Sequence, residues 1–200
     1  MAQVTEGSGV PASETRELPP FDSVELSGSN DVMIHVGGEQ SVVVHADDNL
    51  LDRVTTRVSG RKLVVGNESG GGTVVTTEMP MRVEVTVPTL SEVTLSGSGL
   101  IGAAGVEAES FTVAMSGSGV VNAIGRTDTL VVTLGGSGDA QLQDLTARDV
   151  RARMSGSGRI LVHAAEKIDA SVSGTGSIVY TGDPEQVSSK VTGVGTVTRR

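Results

Sequence analysis

One tetrapeptide, repeated at nearly even spacing, limits what this chain can fold into more than any other feature. SGSG stands at 96–99 and 116–119, GGSG at 135–138, SGSG at 155–158, SGTG at 173–176 and TGVG at 192–195, with starts 20, 19, 20, 18 and 19 residues apart. A flexible Gly/Ser linker carries no such period, so each tetrapeptide marks the corner of one stacked unit. The flanks alternate in step. Phe111, Val113 and Met115 precede the second corner, and Leu130, Val132 and Leu134 the third; Val121 and Ala123 follow one corner, Ile160 and Val162 another. A period of two means a strand with one buried face. The fold class is therefore all-β: a parallel β-solenoid (β-helix) with coils of about 19 residues, stacked roughly 4.8 Å apart into a rod of about 29 Å. The handedness of parallel crossovers favours right-handed winding.

The candidate structural positions are the corner glycines: Gly97, Gly99, Gly117, Gly119, Gly136, Gly138, Gly156, Gly158, Gly174, Gly176, Gly193 and Gly195. A tight turn between strands calls for φ above zero, which glycine reaches without a Cβ penalty. The hydroxyls of Ser98, Ser118, Ser137, Ser157 and Thr175 are placed to form a ladder between coils.

Residues 1–20 read as a flexible leader and 21–200 as a single β-helical domain, irregular over 21–90 and regular over 91–200. Ser27-Gly28-Ser29-Asn30 is an imperfect corner, so the first coil starts there. Gly37-Gly38 and Ser59-Gly60 predict hairpins joining 31–36 to 41–46 and 53–58 to 61–65. Stretch 67–79 reads as a mobile loop, and a strand at 81–87 ends at Pro88. An antiparallel element at this end would shield the edge of the first coil, whereas the other end has only Arg199 and Arg200 to blunt it.

Composition removes several classes of function. A net charge of −9 with scattered basic residues argues against nucleic acid and against anionic membranes. The absence of cysteine rules out thiolate chemistry and disulfides, and no apolar run is long enough for a transmembrane segment. Residues 1–20 show no basic start followed by an apolar stretch, so no signal peptide is read there.

No convergent chemistry emerges from the motifs, and neither a cofactor nor a metal site is assigned. His35, His45 and His163 lack metal-ligand spacing. SGSG is not a nucleophile elbow, and no Lys follows it in a P-loop arrangement. Gly135-Gly136-Ser137-Gly138-Asp139 lacks the spacing and period of the nonapeptide calcium repeat. Asp47, Asp48 and Asp52 read as a solvated turn or short helical segment around Asn49-Leu50-Leu51. Asp139, Asp144 and Asp149 alternate with Arg148, Arg151 and Arg153 as a surface charge network. Of the three aromatics, Phe111 and Tyr180 fall at inward positions, so a stacking platform for sugars is not expected.

Val24-Glu25-Leu26-Ser27-Gly28, Ala46-Asp47-Asp48-Asn49-Leu50-Leu51, Leu63-Val64-Val65, and Val83 through Leu90 running into the first SGSG resemble the bacterial GIN-domain proteins, described as auto-transporter adhesin head domains. The resemblance covers about residues 21 to 197. It implies a β-helical fold and an extracytoplasmic place in the cell envelope, and it brings no catalytic residues. The function expected is a non-enzymatic, adhesin-like or scaffold module whose partner is a protein or glycan. A carbohydrate-active enzyme using Asp139, Asp144 and Arg148, and a homo-oligomer assembling through open coil ends, are the alternatives.

Overall fold

A computed structural model of the chain describes residues 3–68, 73–76 and 80–200. β1 (Gln3–Glu6) and β2 (Pro11–Thr15) open it, and the first coil follows with β3 (Ser23–Leu26), the corner at 27–30 and β4 (Asp31–Val36). Next come β5 (Ser41–Asp47), a short 3-10 turn at Leu51–Arg53, β6 (Val54–Ser59), β7 (Lys62–Asn67), β8 (Thr73–Thr76) and β9 (Arg82–Val87). β10 (Glu92–Leu95) leads into four long strands that each bend through most of a coil: β11 (Leu100–Met115), β12 (Val120–Leu134), β13 (Asp139–Met154) and β14 (Arg159–Val172). β15 (Ser177–Thr181), β16 (Gln186–Val191) and β17 (Thr196–Arg199) complete the stack.

Two sheets meet along the line of corners. On the approach side the order is β6-β7-β3-β10-β11-β12-β13-β14-β16, parallel except for β6. On the departure side it is β2-β5-β9-β4-β11-β12-β13-β14-β15-β17, parallel from β9 onward. Alternation fills the interior with columns of like residues. Val24, Val93, Val113, Val132, Ala152 and Ala170 stack in register, all buried. Each fully buried Val, Leu or Ile contributes about 1.5–3 kcal/mol, so a core nearly free of aromatics still suffices.

The corners stack backbone on backbone. Ser118 N donates to Gly97 O at 3.1 Å, Ser137 N to Gly117 O at 3.2 Å and Ser157 N to Gly136 O at 3.1 Å. None of the corner glycines has a positive φ; that conformation occurs at Gly9, Gly37, Gly60, Gly105, Gly125 and Gly182. The expected reason for the corner glycines is therefore wrong. A Cβ on Gly97, Gly117, Gly136 or Gly156 would lie closer than 3.0 Å to the carbonyl oxygen of the corner beneath. Coils come this close only where no side chain stands between them. The hydroxyl ladder shrinks correspondingly: of its steps the hydrogen bonds include Thr175 Oγ1 to Ser157 Oγ at 3.0 Å, and the backbone makes the others.

Asn30 stands where later corners carry glycine. Below it lies the end of β7, with no further corner, and side chains take over the bonding. Asn30 Nδ2 donates to Gly66 O at 3.2 Å, Asn67 Nδ2 to Asn30 Oδ1 at 3.0 Å, and Ser29 N to Asn67 Oδ1 at 3.2 Å.

Three further expectations change. β4 and β5 form no hairpin, because β9 lies between them, parallel to β4 and antiparallel to β5. The alternation of Val83, Val85 and Val87 continues the columns of Val32 and Ile34, so stacking onto the coil wins over the local turn. The hairpin of β6 and β7 does form, around Gly60 at φ 64°. Residues 11–15, expected within a flexible leader, pair as β2 with the outer edge of β5, and Leu18 packs on the core. Of the loop expected over 67–79, residues 69–72 and 77–79 lie outside the described residues, and Thr73–Thr76 pairs with β1. Across the approach side Lys62 Nζ donates to Glu92 Oε1 at 2.8 Å and lies 3.8 Å from Glu25, tying β7 to β10 over β3.

Candidate functional site

Between the departure strand and the next approach strand each coil has a short third flank, and a groove lies there. Positions 106–108, 125–127 and 145–147 stack in this flank, with shifts of register at its entrance. The chain turns into it through Gly105 at φ 80° and Gly125 at φ 145°, a region that L residues with side chains rarely adopt. With no side chains at these bends the surface is left concave. Inward, Val106, Leu145 and Ala147 join the core, and the buried Thr127 satisfies its hydroxyl on Thr129 O at 3.1 Å. Outward, Glu107, Arg126 and Thr146 stand in register on successive coils.

Two adjoining hollows of about 710 and 620 Å³ share Glu107, Arg126 and Thr146, so they form one groove across the coils. Glu109, Asp128 and Arg148 line its further half. Its two guanidinium groups are loosely held. Arg126 lies 3.4 Å from Glu107 and Arg148 3.9 Å from Glu166, in pairs that are all more than half exposed. Pairs of this kind are worth at most about 1 kcal/mol, so either guanidinium can turn to a ligand carboxylate, phosphate or hydroxyl at little cost. The rim thus offers fork-shaped donors beside exposed carboxylate acceptors, a set suited to polar, hydrogen-bonding ligands.

The residues singled out from sequence do not all meet there. Arg148 lines the groove, whereas Asp139 lies in a separate hollow of about 240 Å³ along the corners, with Arg159. Asp144 accepts a bond from Gln143 Nε2 at 3.5 Å. The three residues of the carbohydrate-cleaving alternative therefore do not share a cavity. The histidines are dispersed: His45 lies 3.4 Å from Glu84, and His163 Nδ1 lies 3.0 Å from Thr181 Oγ1. Asp47 is buried and its carbonyl accepts from Leu50 N, Asp48 accepts from Ser8 Oγ, and Asp52 sits in the expected short helical turn. Among the described residues no group of three or more His, Cys, Asp or Glu could hold a metal ion. Phe111 and Tyr180 point inward as expected, and Phe21 is buried too. Among the described residues no helix is long and apolar enough to cross a membrane.

Sequence reasoning missed the groove. A usable signal existed: glycine recurs six residues beyond the last corner glycine at Gly105, Gly125 and Gly182.

Solved structures share this architecture. A protein described as a "putative adhesin" from Bacteroides fragilis aligns with a TM-score of 0.77 at 21% identity, covering 98% of this chain and 100% of that one. One described as a "putative lipid binding protein" from Parabacteroides distasonis gives 0.63 at 23% identity, over 99% and 100% of the two chains. A "putative adhesin" from Parabacteroides merdae gives 0.55 at 20%, over the whole of both. At these identities the likeness establishes the fold. No curated protein sequence matches the chain. The family model described as "Putative auto-transporter adhesin, head GIN domain" matches residues 20–184, and the chain belongs to that family.

Proposed function

We propose that the chain is a non-enzymatic, adhesin-like module of the bacterial cell envelope, held outside the cytoplasm, whose binding surface is the third-flank groove. The observation that carries this reading is the continuity of the groove over several coils, lined by Glu107, Arg126, Asp128 and Arg148 on a scaffold locked by its backbone ladders. A rigid rod presents such side chains without a large ordering cost on binding. The ligand is a protein or glycan recognised through hydrogen bonds and charge, since the three aromatics that could stack on a sugar ring are in the core. Family membership supports the adhesin-like role.

The test is a screen of the purified chain on a glycan array and on host-matrix proteins, with and without calcium, combined with protease shaving of intact producing cells. Reproducible binding together with removal of the protein by shaving is the expected result. No ligand on any surface, with the protein protected in the cytoplasm, would overturn the proposal.

A further inference from the structure

Charge is divided along the rod. Residues 1–138 carry 7 Lys and Arg against 17 Asp and Glu, a balance of −10, whereas residues 139–200 carry 8 against 7, a balance of +1. At the first end the cations are neutralised: Arg61 lies 2.7 Å from Asp22, Lys62 2.8 Å from Glu92 and Arg53 3.4 Å from Glu68. The outward face of the approach sheet over β13, β14 and β16 differs. Arg151 and Arg153 project from β13 between the buried Val150, Ala152 and Met154. Lys167 stands beside Asp149, and Lys190 follows Ser171 in the column of Arg153. All four cations are exposed, and none has an ion-pair partner among the described residues, although Asp149 and Asp169 share the face. In a chain where 24 carboxylates outnumber 15 Lys and Arg, four cations left together without partners mark a surface suited to an anion from outside.

We propose that this face binds an acidic polysaccharide, a carboxylate-bearing glycan chain laid across β13, β14 and β16. The field selects a thin chain. Exposed charges more than about 8 Å apart are screened at physiological salt, so a single polymer strand meets the local excess of four cations over two carboxylates. A planar anionic membrane would face the whole molecule, with its net charge of −9. The surroundings select sugar over single-stranded nucleic acid. Phe21, Phe111 and Tyr180 are buried and the chain has no Trp, so no aromatic stands ready to stack on a base. Ser171 and Ser188, in the columns of Arg153 and Arg151, offer hydroxyls to the hydroxyls of a sugar. Arg151 and Arg153, alternate residues about 6.6 Å apart on one strand, present guanidinium forks that can each hold a carboxylate by two parallel bonds. The surface is separate from the third-flank groove, which takes Arg148 of the same strand.

The test titrates sodium polygalacturonate into the chain by isothermal calorimetry over a range of salt, beside neutral dextran, single-stranded DNA and phosphatidylglycerol vesicles. Polygalacturonate alone should bind. The logarithm of its affinity should fall against that of salt with a slope of about −3, from four cations at about 0.7 each. Arg151→Gln/Arg153→Gln should weaken binding at least about tenfold and take about 1.4 off the slope. That variant should melt with the native chain, since both side chains are exposed and unpaired. Asp169→Asn, which removes the carboxylate next to Arg151, should tighten binding. Arg126→Gln/Arg148→Gln in the groove should leave it unchanged, so failure here and failure of the groove as a binding surface are told apart. No binding of polygalacturonate at low salt, undiminished binding by the Arg151/Arg153 variant, loss in the groove variant instead, or equal binding to DNA or vesicles would each overturn the proposal.

Discussion

Replacing Gly117 by alanine probes the feature on which the stacking depends. Its backbone needs no special φ, so conformational strain contributes nothing. The added methyl would instead lie closer than 3.0 Å to the carbonyl oxygen and carbon of Gly97 and 3.0 Å from the carbonyl carbon of Ser96, all backbone atoms that cannot swing aside. Relief requires the two coils to part at the corner, which stretches the bonds from Ser118 N to Gly97 O and from Val120 N to Gly99 O. Two weakened, sheltered backbone bonds at roughly 1–2 kcal/mol each give a loss of about 2–4 kcal/mol. At about 2–4 °C per kcal/mol for a chain of this size, the midpoint should fall by roughly 5–15 °C in thermal melts followed by circular dichroism. Two controls separate close approach from turn conformation. Gly60→Ala, at φ 64° with nothing within 4 Å of the added methyl, should cost only about 1–2 kcal/mol. Gly135→Ser, whose new Cβ would meet nothing nearer than 3.7 Å, should leave the midpoint unchanged or raised. A Gly117→Ala protein that melts with the native chain, or no lower than Gly60→Ala, would refute the reasoning.

Three other outcomes follow from the same structure. Asn67→Ala should cost about 1–3 kcal/mol in urea unfolding, since it strips the buried Asn30 Oδ1 of its donor and Ser29 N of its acceptor. Phe111→Ala, at the largest fully buried side chain, should cost about 3–5 kcal/mol by the same measurement. Acid should weaken the closed end: the hydrogen bond from Lys62 holds the Glu92 carboxyl below its usual 4.5, and that from Arg61 holds Asp22 below 3.8. A depressed carboxyl contributes stability above its unfolded value and loses it as pH falls through its folded one. The difference in melting midpoint between the native chain and Lys62→Gln should therefore be steady from about pH 7 to 5 and shrink below about pH 4; a constant difference would contradict the assignment.

The regular half of the fold was legible because it repeats. Corners such as 96–99 and 116–119 sit at a fixed spacing, and the alternation of Phe111, Val113 and Met115 declares the inward face before any contact is known. What the corner glycines do was not legible. Gly97 rests on Gly28, far back along the chain, and a close approach between distant segments leaves no local trace distinct from that of a turn. The pairing of β4 failed for a related reason: Gly37-Gly38 is a good local hairpin signal, yet the columns of Val32 and Ile34 are satisfied better by β9. Asn30 looked like a flaw in the first corner and proves to end the backbone ladder over the last residues of β7. The groove escaped notice because its rim residues are ordinary surface charges in sequence. Only the bends at Gly105 and Gly125 set Glu107, Arg126 and Thr146 side by side.

The proposed binding surface is tested most directly by reversing its two guanidinium charges. Native chain and the Arg126→Glu/Arg148→Glu variant are compared on the same glycan and matrix-protein arrays, beside Arg159→Glu in the corner hollow as a control. All three should melt alike, since the altered side chains are exposed. Binding lost in the groove variant and retained in the control is the expected result. Undiminished binding by the groove variant would contradict the assignment of the third flank as the binding surface.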